Sequence, residues 1–522
     1  MINLAAVLQY RAREHPGRTA LISGPETWTY AELDRAANRV ANGLTAAGVG
    51  PGDKVALSSP TSPSFLACYF GILKMGGVVV ALNTLLRTHE VVHHLRDSEA
   101  VAYLCHEDMG AFPVGTTGWA AFQEVSSCRH FWMVHSGKGP VSPVPRGALG
   151  FEHLTAGSQE TFDMQQRGAS DVCCIVYTSG TTGQAKGAQL THANMMIHWL
   201  VLRDLFRHTP SDRVLVAAPM YNVLAQSLLM GPAFTAGASL VLLPRFDPAL
   251  ALCAMQEHGV TFFTGVPSMY YGLLNHPDLH AFDLARIRKH WRCGLVGGAP
   301  VPPELLEQVH TVFGPRMLIG YGLSETTAAT CMHRIDAPAP HDSVGTPIWG
   351  VEVRIVDQHM IDVPAGETGE IVVRGHNVMS GYYGKPEANE EVLRSGWLHT
   401  GDIGRRDEAG YVYVVDRLKD MIIRGGRKIC PSEVEAVLLG HPAVALAAVV
   451  GVPHRELGEE VKALVVLKPH ARASAGELMG WAKARIAAHA YPRIIEFRDT
   501  LPLGPTGKIL KKELRADSGS VT

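Results

Sequence analysis

Tyr177-Thr178-Ser179-Gly180-Thr181-Thr182-Gly183-Gln184-Ala185-Lys186-Gly187 is the stretch on which the reading of this chain turns. It follows Cys173-Cys174-Ile175-Val176, a short apolar run that predicts a buried strand. Its eleven residues hold three glycines, four Ser/Thr hydroxyls and one lysine. Glycine lets a backbone turn tightly and approach a ligand closely. Successive N–H groups in such a loop form an anion-binding concavity. The hydroxyls add donors, and Lys186 adds a positive charge. That inventory suits a polyphosphate. The glycines and the lysine do not fall at the spacing of a Walker-type phosphate loop.

The bulk numbers set limits around this loop. A chain of 522 residues is too long for one core and implies two to four domains. At 46% hydrophobic and 18% charged residues it reads as globular with large cores. A net charge of -2 leaves no electrostatic footprint for nucleic acid. Nine scattered cysteines with no CxxC pair imply neither a zinc site nor a disulfide framework, and favour a reducing compartment. No basic leader and no run near eighteen apolar residues is present, so a soluble, cytoplasmic protein without a membrane span is expected.

Along the chain, residues 28–48 carry apolar positions at helical spacing, and Thr29 with Glu32 resembles a capping box. Val55-Ala56-Leu57 begins a strand, residues 64–75 read as a helix, and residues 78–82 as a strand. Such alternation predicts a parallel sheet. Residues 106–168, rich in Gly, Pro and Ser, read as an irregular excursion. Strands are expected at 214–218, 240–243, 261–263 and 295–296, and a helix at 302–313 with prolines at its start. From about residue 341 short runs at 353–356, 370–373 and 411–415 predict a β-rich subdomain. A last unit of about one hundred residues has domain size. It reads as strand 421–423, helix 432–439, strands 445–450 and 461–467, and helix 475–488.

Four further motifs carry chemistry. In Gly320-Tyr321-Gly322-Leu323-Ser324-Glu325-Thr326, Glu325 is a hard oxygen donor suited to magnesium shared with phosphates, and Tyr321 offers a flat face to a purine. A solvated cap is the plainer reading of Glu325. In Gly396-Trp397-Leu398-His399-Thr400-Gly401-Asp402, the Asp402 carboxylate can accept two hydrogen bonds, or it is an Asp in a β-turn. Asp416-Arg417-Leu418-Lys419-Asp420 is either functional or a solvated charged linker. Leu501-Pro502-Leu503-Gly504-Pro505-Thr506-Gly507-Lys508 puts a lysine on a Gly/Pro-rich loop, where most lysines are merely exposed.

These motifs, in this order over 177–508, resemble those of the adenylate-forming enzymes, a group that includes acyl-CoA synthetases. Thr29-Tyr30-Ala31-Glu32-Leu33 and Gly50-Pro51-Gly52-Asp53 also look familial. The resemblance implies an α/β fold: a large multi-subdomain N-terminal domain at 1–416 with a β-rich subdomain, a hinge at 417–420, and a small mobile α+β C-terminal domain at 421–522. It implies ATP, Mg2+ and coenzyme A as cofactors, and a small carboxylic acid as substrate.

By the same resemblance Thr178, Lys186, Glu325 and Lys508 act in catalysis, with Glu325 holding the metal. Ser179, Gly180, Thr181, Thr182, Gly183, Gly298, Ala299, Pro300, Tyr321, Gly322, Ser324, Asp402 and Arg417 bind the nucleotide. Lys419 is the hinge, and Gly425 and Gly426 flank the coenzyme A arm. Asn222, Leu224, Val266, Met269 and Cys331 line the acyl pocket. Their apolar or small character suits a hydrophobic acid.

Two positions depart from the family pattern. Ala185 stands where Pro is common, which leaves about 0.4–1 kcal/mol more ordering entropy in the loop. Asn222 stands where many relatives carry His, and it cannot become cationic. The expected activity is a full acyl-CoA ligase. The alternatives are a partial enzyme that thioesterifies a preformed acyl-adenylate, with a separate adenylating enzyme as partner, and a non-catalytic sensor. Monomer and homodimer both stay open.

Overall fold

The computed structural model describes residues 2–110, 112–135, 144–178, 184–502, 509 and 511–516. It divides into two units, one of Met1–Glu352 with Val373–Leu398, the other of Val353–Val372 with His399–Thr522.

The first unit contains two large sheets. One has seven strands in the order Leu149–Gly150, His130–Val134, Ala102–His106, Lys54–Ser58, Val78–Ala81, Val172–Thr178, Lys186–Thr191. All neighbours are parallel except the last pair, in which Thr178 faces Lys186. Ala56, Val80, Tyr103, Phe131 and Ile175 are buried on it. The helices Tyr30–Ala46 and Pro63–Lys74 pack tightly together: a Cβ on Gly71 would lie 2.6 Å from Val40. The expected capping box forms, with Thr29 N donating to Glu32 Oε2 at 2.7 Å and Glu32 N to Thr29 Oγ1 at 3.2 Å.

The second sheet has nine strands, in the order Thr346–Pro347, Cys331–Met332, Arg316–Tyr321, Cys293–Gly297, Phe262–Gly265, Arg213–Val216, Ser239–Leu242, Thr19–Ser23, Glu26–Thr29. Its centre is parallel, and its outer pairs are antiparallel. Leu215, Val241, Phe263, Val296, Ile319 and Trp291 form its core.

The second unit holds most of a five-stranded sheet, built from Val351–Val356, Thr368–Gly375, Trp397–Arg406, Leu393–Arg394 and Val412–Arg417. Its carboxy-terminal part is a separate five-stranded sheet, in which Gly458–Leu467 pairs with Val444–His454, Ile422–Arg424 and Ile494–Phe497. Val434, Leu438, Val449, Ala463 and Leu478 close its core.

Two expectations need correcting. Residues 106–168 are not irregular throughout: they include the helix Val114–Gln123 and the strand His130–Val134. That strand lies between two neighbours and is almost entirely buried, so it lacks the alternation that betrays a half-exposed strand. The helix expected over 475–488 ends at Lys483. All nine cysteines are unpaired. No helix among the described residues is long and apolar enough to cross a membrane.

Candidate active site

In an open α/β sheet, ligands bind beyond the carboxyl ends of the parallel strands. Four neighbouring strands of the nine-stranded sheet end on one edge, with Gly265 beside Val296 and Gly297 beside Gly320. The segments leaving that edge carry Asn222, Val266 with Met269, Gly298 to Pro300, and Tyr321 to Glu325. Local constraints select several of these residues. A Cβ on Gly297 would lie 2.6 Å from the Gly320 carbonyl, and one on Gly322 2.2 Å from the Ala328 carbonyl. Gly298 has φ +78° and sits against Val266. Cys331 faces Tyr321 across an antiparallel pair and is fully buried. Burial pushes its thiol far above the usual range, so it is a small apolar group and not a nucleophile.

Asn222 has a local role. Its Oδ1 accepts from Leu224 N at 3.1 Å, and its carbonyl accepts from Ala225 N at 3.1 Å and Gln226 N at 3.3 Å. It thereby caps the helical turn at 223–224 that runs into the π-helix Ala225–Met230, a rare form that concentrates at functional sites. The buried Gln226 donates to Met220 O at 2.9 Å and ties this turn to its own approach segment.

Glu325 lies in the single turn Ser324–Thr326. Its Oε1 accepts from Tyr382 OH at 2.7 Å, and its carbonyl accepts from Met379 N at 2.9 Å. The next two residues, Thr327 and Ala328, both have positive φ, at 53° and 82°. For residues bearing a Cβ that conformation costs about 1–2 kcal/mol each. Thr327 Oγ1 donates to Asn377 O at 2.7 Å and Asn377 Nδ2 to Ala329 O at 2.8 Å, which holds the strained turn in place. Lys186 Nζ lies 5.3 Å from the centroid of the Tyr382 ring. Residues 380–383 run beside the strand of Lys186, with Ser380 N on Gln189 O at 3.0 Å and Tyr383 N on Gly187 O at 2.9 Å.

Tyr382 therefore joins Lys186 to Glu325, and Asn377 secures the turn. Sequence reasoning passed over both. The signal for Tyr382 was the Gly381-Tyr382-Tyr383 cluster after the strand Thr368–Gly375, and Asn377 had none. Thr178 lies at the end of its strand, opposite Lys186. Ser179, Gly180, Thr181, Thr182, Gly183 and Lys508 lie outside the described residues.

In the second unit Asp402 is not in a turn. It sits in the strand Trp397–Arg406, almost fully buried, opposite Arg417. Arg417 Nε approaches Asp402 Oδ1 at 3.0 Å, and Asp402 N donates to Thr400 Oγ1 at 3.0 Å. Asp416 accepts from Arg417 N at 2.8 Å and from Ser432 N at 2.9 Å, tying the segment to the helix Pro431–Leu439. Lys419 occupies the turn Leu418–Asp420, which Arg515 holds through Asp420 Oδ1 at 2.9 Å. Gly425 and Gly426, at φ +56° and +76°, are the two-residue turn between Ile422–Arg424 and Arg427–Ile429. Two consecutive positive φ angles define the type I′ hairpin turn, which glycine fills without strain.

The donor set bears on magnesium. Glu325 offers one carboxylate, and no group of three or more His, Cys, Asp or Glu among the described residues could hold a metal ion. That fits a magnesium ion that takes most of its ligands from phosphates and water, and does not fit a protein-built cage.

Comparison with known proteins shows the family. Residues 8–383 match the AMP-binding enzyme family and residues 433–508 the AMP-binding enzyme C-terminal domain. The chain is 40% identical to a feruloyl-CoA synthase of an Amycolatopsis species over 98% of both chains. It superposes on the crystal structure of ATP-bound MatB from Rhodopseudomonas palustris with a TM-score of 0.90, at 32% identity over 99% and 98% of the two chains. For a benzoate CoA ligase from Burkholderia xenovorans LB400 the values are 0.87 and 29%, over 99% and 100%. The chain belongs to the AMP-binding enzyme family and is an adenylate-forming acid:CoA ligase of the acyl-CoA synthetase type.

Proposed function

We propose that this ligase activates an aromatic carboxylic acid of the feruloyl or benzoyl kind. The observation that carries the reading is the set of small and apolar residues on one sheet edge: Leu224, Val266, Met269, Gly298 and Cys331. Such a wall takes a flat ring by shape and desolvation. The names of the relatives point the same way.

In the first half-reaction an oxygen of the carboxylate attacks the α-phosphorus of ATP. The bond from that phosphorus to the bridging oxygen breaks, and pyrophosphate leaves with the electron pair. Thr178 to Gly183 and Lys186 cradle the departing phosphates, and Lys508 stabilises the charge developing at the α-phosphate. A magnesium ion on Glu325 would neutralise phosphate charge. Tyr321 and Gly322, with Gly298 to Pro300 and Ser324, border the adenosine, Asp402 holds the ribose hydroxyls, and Arg417 assists. In the second half-reaction rotation at Lys419 withdraws Lys508. The thiol of coenzyme A, led past Gly425 and Gly426, then loses its proton to solvent and attacks the acyl carbon; the bond from that carbon to the phosphate oxygen breaks, and AMP leaves with the electron pair. The partial-enzyme and sensor readings are not favoured: the relatives are named CoA ligases, and Asn222 has a local structural reason.

The test pairs two assays on the full chain with ferulate, benzoate and a long-chain fatty acid. One follows acid- and ATP-dependent pyrophosphate release, the other thioester formation. Aromatic acids are expected to support both, and chelation of Mg2+ to abolish the first. A fatty acid turned over efficiently while both aromatic acids stay silent overturns the proposal.

A further inference from the structure

The two ends of the phosphate loop rest on one helix. That helix, Thr88–Asp97, is seated on the seven-stranded sheet through the buried Val91, Val92 and Leu95. Tyr177, at the loop's entry, donates from its hydroxyl to Asp97 Oδ2 at 2.9 Å, and its ring meets the His94 ring with centroids 4.1 Å apart. Burial and the Asp97 carboxylate raise the Tyr177 phenol well above its ordinary range, so it remains a donor. At the loop's exit His93 Nε2 lies 3.3 Å from the Ala185 carbonyl. A carbonyl only accepts, so Nε2 carries the proton in this contact. His93 and Asp97 are four residues apart and share a helix face. The other Asp97 oxygen accepts from Lys385 Nζ at 2.5 Å, next to the segment that carries Tyr382.

We propose that His93 and Asp97 are positioning residues for adenylation, anchoring the two stems of the phosphate loop, already paired with each other at Thr178 and Lys186, to one rigid helix. The inference rests on the reading of residues 178–186 as the triphosphate site. Its physical basis is entropy. A loop that binds phosphates through backbone N–H groups must be ordered when it does so, and ordering opposes binding. Proline at 185 would restrict φ covalently. Ala185 leaves φ free, and the hydrogen bond from His93 restrains the same residue from outside. Asp97 does this at the other stem. The restraint matters only while β- and γ-phosphates are present. The acyl-adenylate has lost them, so the thioester step is spared.

The experiment uses the full chain with ATP and ferulate, and separately with synthetic feruloyl-adenylate and coenzyme A. His93→Leu is expected to lower kcat/KM for ATP in pyrophosphate release about five- to tenfold, the scale of one lost hydrogen bond. Thioester formation from the adenylate should stay within about twofold. Asp97→Asn should act in the same half-reaction. His93→Gln, which keeps an N–H donor, should recover most of the loss. His93→Leu in an Ala185→Pro background should cost clearly less than in the natural chain. The proposal is overturned if His93→Leu and Asp97→Asn leave kcat/KM for ATP unchanged, if both half-reactions fall together, or if Gln and Pro rescue nothing. A natural chain that releases no pyrophosphate with ATP and any acid overturns the underlying reading of the loop, and that failure shows before any substitution is made.

Discussion

Glu325 and the Gly425-Gly426 pair were both singled out by motif, yet the structure accounts for them in opposite ways. The Glu325 turn is costly. Two successive non-glycine residues hold left-handed backbone, and Asn377 must brace them. Nothing in local folding requires that strain, so it points to a task. The glycine pair is unstrained. A two-residue hairpin loop asks for positive φ twice, and glycine supplies it. A motif residue set beside a strained turn is better evidence of function than one whose own turn is self-explanatory.

The sharpest way to break this contrast is Glu325→Gln. The amide keeps the size and can still accept from Tyr382, but the charge that would meet magnesium and phosphate is gone. Pyrophosphate release should fall about a hundred- to a thousandfold, the loss seen when one transition-state electrostatic contact is removed. Unfolding temperature should barely move. A fall below tenfold would mean that the strained turn serves packing alone. Tyr382→Phe probes the brace of the carboxylate. It removes one hydrogen bond to a charged group, worth about 1.5 kcal/mol, or roughly tenfold in the same assay. Because the Phe ring keeps its face to Lys186, an unchanged rate would show that the ring and not the hydroxyl matters.

How much of this was legible in the sequence follows from the range of the interactions. The Thr29–Glu32 capping box spans four residues and was readable. So were three of the strands that line the site, Arg213–Val216, Phe262–Gly265 and Cys293–Gly297, because each falls within a short apolar run bounded by turns, whereas Arg316–Tyr321 was not read. The strand His130–Val134 was not, because burial on both faces erases alternation. Nor were the partners of the site. Tyr382 lies 57 residues from Glu325, and Tyr177 lies 80 from Asp97. His93 and Ala185 are 92 apart. No local pattern marks such pairs; only the folded sheet brings them together. Asn222 shows the converse. As a departure from a family pattern it suggested weakened chemistry, whereas its bond to Leu224 N reveals a capping role that reaches only two residues along the chain.

The smallest expected effect tests the unstrained half of the contrast. A Cβ on Gly426 meets nothing within 4 Å, so Gly426→Ala adds only backbone strain, about 1 kcal/mol. Asn tolerates left-handed backbone better than Ala, so Gly426→Asn should return most of that stability. Turn geometry thus predicts different melting temperatures for the two variants and the same KM for coenzyme A. A pantetheine arm passing over this turn predicts something else. Both variants place atoms in its path, so both should raise KM for coenzyme A, Asn at least as much as Ala, while pyrophosphate release stays unchanged. The two quantities separate the explanations because stability follows φ, whereas obstruction follows side-chain volume. If KM stays flat in both variants, Gly426 is a turn residue alone, and the coenzyme A path must be sought elsewhere on the molecule.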